Sequence, residues 1–202
     1  MRFLKNIFLY FFIFLFINCS GDDEAADDFP LNDHSEFEMK VDEQLWKADY
    51  SFIQSNYAID SDEDTFLITI MAMKYKDDEE EEIAERIQIL LSLKQDKFND
   101  PRGTYPIIMT EQLNNSAVAT YDIFDSQTYY GSFNPEDPDN EEVGSISIEE
   151  YEIGEQLFLG DGYIYLKGKF ALDMYSSNDN GTVNKIEITV GNFKINNDLF
   201  DF

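Results

Sequence analysis

Arg86-Ile87-Gln88-Ile89-Leu90-Leu91-Ser92-Leu93-Lys94 decides how this chain folds. Ile87, Ile89, Leu91 and Leu93 fall on every second position, with Arg86, Gln88, Leu90, Ser92 and Lys94 between them. A period of two places the four aliphatic residues on one face of a strand. Extended to 77–97, the same stretch also fits an amphipathic helix, with Ile83, Ile87, Leu90 and Leu91 on one stripe. Acids at the start of that helix and lysines near its end would complement its dipole. The unbroken alternation and the strand-like neighbours favour an acidic loop leading into a strand over 85–94.

Outward from this stretch, period two persists. Residues 65–75 (TFLITIMAMKY) are apolar on both faces, as in a strand at the middle of a sheet. In 163–174, Ile164, Leu166, Phe170, Leu172 and Met174 share one face, while Tyr163, Tyr165, Lys167, Lys169 and Asp173 take the other, expected to be wet. Ile186, Ile188 and Val190 alternate until Phe193 shifts the parity at Gly191, which predicts a β-bulge there. Phe37, Met39 and Val41, then Trp46, Ala48, Tyr50 and Phe52, predict an opening hairpin with a tight turn. Turn-rich segments at 99–103, 114–115, 134–140, 160–162 and 176–181 separate the runs. Roughly ten short strands predict one all-β domain over 36–202, an antiparallel β-sandwich or flattened β-barrel.

The N-terminus has a different chemistry. Arg2 and Lys5 precede an apolar run of eleven residues at 7–17 (IFLYFFIFLFI), followed by Asn18 and Cys19. A membrane span needs about 20 apolar residues, so the run is too short for one but suits a signal segment over 1–18. It resembles a lipobox, in which Cys19 is diacylated and becomes the first residue of the mature chain. Phe16 and Asn18 stand where the commonest lipobox has Leu and Gly or Ala, as in the looser lipoboxes of Bacteroidota. Cys19 is the only cysteine, so no internal disulfide or thiolate metal cluster can form. Residues 20–35 (SGDDEAADDFPLNDHS) have almost nothing to bury, and 19–35 reads as a lipidated, acidic, disordered tether. Its acid cluster Asp22-Asp23-Glu24 resembles the export signal of lipoproteins displayed on the outer leaflet. Outer-membrane attachment with exposure at the cell surface is therefore the expected location.

The formal charge is −28, and loss of 1–18 with Arg2 and Lys5 makes it −30. Such a charge argues against nucleic acid as a partner, since phosphate binding needs Lys and Arg patches. Catalytic constellations are scarce. His34, the only histidine, lies in the tether, which leaves nothing for a Ser-His-Asp triad, a Cys-His dyad or a histidine zinc site. Paired carboxylates could serve an extracellular hydrolase, but among 42 acids such pairs carry no information. The expectation is no enzyme and no cofactor.

Two candidate sites remain. Acidic loops at 60–64, 77–82 and 136–142 offer oxygen ligands of the kind calcium prefers, with Asp137, Asp139, Glu141 and Glu142 the named set for a structural calcium. The alternative function is accordingly a calcium-stabilised acidic coat protein. Tyr121, Tyr129, Tyr130, Tyr163 and Tyr165 are candidates for an aromatic binding surface, where a ring offers an apolar platform and neighbouring carboxylates accept hydroxyl hydrogens. That reading predicts a non-catalytic domain binding a ligand, a glycan or an outer-membrane protein partner.

Three stretches also resemble a group of uncharacterised Bacteroidota surface lipoproteins. Residues 37–48 (FEMKVDEQLWKA) match an F-x-x-x-V-D-G-x-x-W-x-A opening, Gly103-Thr104-Tyr105-Pro106 matches a G-T-Y-P element, and Gly191-Asn192-Phe193 lies in a matching last strand. Glu43 stands where that group prefers glycine. The resemblance implies a signal, a tether and one β domain outside the cell. It implies no activity.

Overall fold

The computed structural model describes residues 35–57, 65–76, 79–108, 115–135, 142–156, 160–177 and 182–197. The signal segment, Cys19, the tether with His34, and the loop residues 58–64, 77–78 and 136–141 lie outside them. The chain is all-β. Its strands are β1 (Glu36–Val41), β2 (Gln44–Lys47), β3 (Tyr50–Tyr57), β4 (Thr65–Lys76), β5 (Glu79–Lys94), β6 (Gly103–Ile108), β7 (Ser116–Ile123), β8 (Thr128–Gly131), β9 (Glu142–Gln156), β10 (Gly160–Ser177) and β11 (Val183–Asn196). They form one sheet in the order β2-β1-β11-β10-β9-β6-β7-β5-β4-β3, with β8 beside β7 and β10. The ladders are antiparallel except where β6 and β7 meet in parallel at Ile107 and Ala117. β3, at one end of this order, comes back beside β10 and β11, so the sheet forms a ring that is not a regular barrel.

Within the ambiguous segment Glu79–Lys94 is a strand, so the described part of the expected acidic loop, from Glu79, belongs to β5, and Gln95–Lys97 is a short 3-10 turn. β5 pairs with β4 on one side and β7 on the other, and Ile70, Ile89 and Ala119 stand in one row across the three. Ile87, Ile89, Leu91 and Leu93 are fully buried. A helix would have buried only a stripe of this segment, whereas the central strand position pairs its backbone on both sides. Phe66, Ile68, Ile70 and Ala72 of β4 face the same core. Truncating such an isoleucine to alanine typically costs about 2–5 kcal/mol.

Two parity shifts refine the sequence reading. Tyr163, expected on the wet face, is fully buried. The β9–β10 register slips between Tyr163 and Tyr165, so Ile164 is the extra residue of a bulge and Tyr163 turns to the side of Leu166. The bulge expected at Gly191 is present one residue earlier. Registers on both sides of β11 slip across this point, and Val190 takes φ 51° with its side chain exposed. Gly191 has a different job: a Cβ there would lie 2.6 Å from the Phe170 ring.

Two sets of polar contacts hold the ring shut. Between β3 and β10/β11, side chains replace a ladder. The Asn197 side-chain amide accepts from Ile53 N–H (3.2 Å) and donates to Ile53 C=O (2.5 Å), while Ser55 Oγ accepts from Tyr163 N–H (3.0 Å). At the connection from β5 to β6, three tyrosine hydroxyls donate to backbone carbonyls. Tyr163 reaches Phe98 (2.6 Å), Tyr151 reaches Asn99 (2.5 Å) and Tyr105 reaches Pro101 (2.5 Å). Phe98 packs edge-on against Phe66, with ring centres 4.8 Å apart.

The β1–β2 turn has two residues, and both Asp42 (φ 47°) and Glu43 (φ 71°) are left-handed. This is the turn type that favours glycine at its second position. Asp42 is further held by its N–H to Glu187 C=O (3.0 Å) and by its carboxylate accepting Glu187 N–H (2.9 Å). Left-handed backbone costs a side chain about 1–2 kcal/mol. Glu43→Gly should therefore raise the stability read from urea unfolding by about 1 kcal/mol, and an unchanged or lower midpoint would contradict this turn geometry. Tyr163→Phe should lower it by about 1 kcal/mol, the usual worth of one buried hydrogen bond.

Candidate binding site on the β7–β8 hairpin

Period two places neighbouring residues on opposite faces, and at one end of β5 and β7 both faces are used. Arg86 is directly opposite Asp122, and Ile87 is opposite Tyr121. On the inner side, the Glu85 carboxylate accepts from Trp46 Nε1–H (2.8 Å) and from the Tyr121 hydroxyl. Trp46 and Tyr121 meet edge-on at 6.4 Å, and Tyr130 lies 6.4 Å from Tyr121. This contact ties the opening hairpin to β5 and β7. On the outer side, Arg86 donates through Nε (3.0 Å) and Nη2 (2.6 Å) to one oxygen of Asp122, Oδ2. The ion pair and the inner triad therefore grow from adjacent residues of the same two strands.

Two exposed rings flank the outer pair. The guanidinium carbon of Arg86 is 5.4 Å from the centre of the Phe124 ring, within cation–π range. Tyr129 stands directly across from Asp122 on β8. Phe124 and Tyr129 are 41% and 51% exposed, and the segment leaving β8 adds Phe133 at 47%. Three of the five exposed large apolar side chains among the described residues thus fall within 124–133. Single exposed apolar residues are ordinary; here Phe124 and Tyr129 stand beside a polar pair and form a mixed apolar and polar surface. The row continues inward from Tyr129 through Asp122, Arg86 and Met73 to Tyr50.

The five tyrosines singled out from the sequence do not converge on one site. Tyr121 and Tyr130 pack toward the inner side, and Tyr129 faces out from the same hairpin. Tyr163 is a core residue. Tyr165 lies on the outer face of β10, where its hydroxyl donates to Glu150 (3.2 Å) beside the Lys167–Glu150 pair (2.6 Å). That face is a charge ladder, continued by Lys169–Glu149 (2.6 Å) and Lys185–Asp173 (2.7 Å). Of the calcium set, Asp137, Asp139 and Glu141 lie outside the described residues, and Glu142 opens β9 with an exposed side chain. Among the described residues no three His, Cys, Asp or Glu side chains are grouped to hold a metal. Arg86, Asp122 and Phe124 were missed by sequence reasoning. Nothing local marks them, because only the β5–β7 register brings 86 beside 122.

Comparison with family models, with curated proteins and with solved structures gave no match.

Burial, reinforced by the hydrogen bond to the Glu85 carboxylate, pushes the Tyr121 hydroxyl well above the ordinary tyrosine range. The folded state keeps this proton, whereas an unfolded tyrosine releases it near pH 10. The associated stability is fully present below pH 10 and is lost as pH rises through the higher folded value. Between pH 10 and 12, stability should fall more steeply in the natural chain than in Tyr121→Phe, by up to about 1.4 kcal/mol per pH unit. Equal slopes would contradict the Tyr121–Glu85 contact.

Proposed function

We propose that the chain is a lipid-anchored, surface-displayed, non-catalytic binding module that presents its β7–β8 hairpin to a ligand outside the cell. The observation that carries the binding part is the pair of exposed rings, Phe124 and Tyr129, around the Arg86–Asp122 ion pair. Binding sites of this kind combine apolar contact area with a few fixed polar groups. Here the polar groups are fixed by a cross-strand pair, and the inner contact of Glu85 with Trp46 and Tyr121 stiffens the strands that bear it.

The sequence supports the remaining parts. The charged and apolar segments before Cys19, the lipobox-like junction and the acid cluster behind it favour acylation and outward display. The described β domain contains neither histidine nor cysteine, which favours binding over acyl-transfer or thiol chemistry. Expressed in a Bacteroidota host fed radiolabelled palmitate, the chain should take up label and fractionate with membranes. Cys19→Ser should lose both. Protease added to intact cells should degrade the natural chain. Label retained in Cys19→Ser would contradict acylation at this residue, and protection from the protease would contradict surface display.

A further inference from the structure

Building on the binding reading above, we infer that the Arg86–Asp122 cluster is a site for a neutral saccharide. A pyranose has an apolar C–H face and a rim of hydroxyls, each both donor and acceptor. The cluster offers the complement of both. Phe124 and Tyr129 supply exposed rings on which a sugar face can lie. Arg86 spends Nε and Nη2 on the single oxygen Oδ2, which leaves its Nη1 donors and Asp122 Oδ1 outside that contact, on side chains 31% and 16% exposed. Two adjacent hydroxyls can give a hydrogen to the carboxylate oxygen and take one from the guanidinium. Neither group needs to move, because each already holds the other.

Charge chooses among saccharides. The chain carries −28, and the one cation in the cluster is matched by its own carboxylate. Among the described residues of the cluster a uronate or phosphorylated glycan would meet no unpaired cation, and it would meet strong repulsion at long range. A neutral sugar meets neither. The row from Tyr129 through Asp122, Arg86 and Met73 to Tyr50 crosses five strands, about 19 Å at the usual spacing of strands. That length suits an extended chain lying across the strands with sugar rings over Tyr129 and Phe124.

The test is affinity electrophoresis of the full chain in native gels containing a β-glucan, a xylan, an α-mannan or, as anionic comparison, polygalacturonate. At least one neutral polysaccharide should retard the chain, and polygalacturonate should not. Phe124→Ala with Tyr129→Ala should weaken the retardation about tenfold or more, as expected for central aromatic contacts. Asp122→Asn, which keeps the shape but removes the charge, should also weaken it. Both rings are exposed, so the double variant should still melt in one cooperative transition, which excludes misfolding as the cause of weaker retardation. No retardation by any neutral polysaccharide, or retardation that survives the double variant, would overturn the inference. Stronger binding to polygalacturonate would overturn it as well. Such a failure with palmitate label still lost in Cys19→Ser would remove the saccharide while leaving the anchored module intact.

Discussion

The structure depends on how one sheet disposes of its edge. An open strand edge leaves backbone donors and acceptors unpaired and invites pairing with other chains. In this chain the far edge of the sheet, β3, turns back to β10 and β11. The junction is made by side chains standing in for a ladder: the Asn197 amide takes both groups of Ile53, and Ser55 takes the N–H of Tyr163. The geometry explains why no regular barrel forms. β10, with 18 residues, is paired with β9 from Gly160 and with β11 from Tyr165 onward, so only its first few residues have an edge to offer β3. Side chains can bridge where backbones cannot.

Closure has a second consequence inside. A ring of strands must fill its interior, and here aromatic residues with polar tips do much of that work. Tyr105, Tyr151 and Tyr163 pack their rings at or against the core and spend their hydroxyls on the carbonyls of residues 98–101. The crossing from β5 to β6 is thereby pinned, with Phe98 as its plug. Trp46 and Tyr121 repeat the device around Glu85. Each ring contributes apolar burial, and each polar tip finds a partner, so little burial is offset by stranded hydrogen-bonding groups. The outer Arg86–Asp122 cluster inherits this rigidity, because its strands are held from within.

Much of the fold was legible in the sequence. The alternation of Ile87, Ile89, Leu91 and Leu93 is local and survives into the structure unchanged. The two-sided apolar character of 65–75 also reads through, with Phe66, Ile68, Ile70 and Ala72 in the core and Leu67, Met71 and Met73 half-buried outside. What was not legible depends on register. Tyr163 looked wet because a single extra residue, Ile164, reverses parity, and nothing in the local pattern marks that residue. Arg86 lies in β5 while Asp122 and Phe124 lie at the end of β7, and they become a cluster only through the pairing of β5 with β7. Tyrosine count alone pointed to a surface, whereas most of the tyrosines named are structural. Glu43 is an instructive case: the expected tight turn forms despite the missing glycine, held from outside by Asp42 on Glu187.

Asn197 and Ser55 seal β3 against β10 and β11, and this seal makes one closed ring of the sheet. Amide hydrogen exchange by NMR tests it most directly, because Ile53 N–H and Tyr163 N–H have these side-chain oxygens as their acceptors. Both amides should exchange as slowly as those of the paired core strand β5, and Asn197→Ala should release Ile53 while leaving Ile89 protected. Fast exchange at Ile53 and Tyr163 in the natural chain, with β5 protected, would mean an open edge and would contradict the closure.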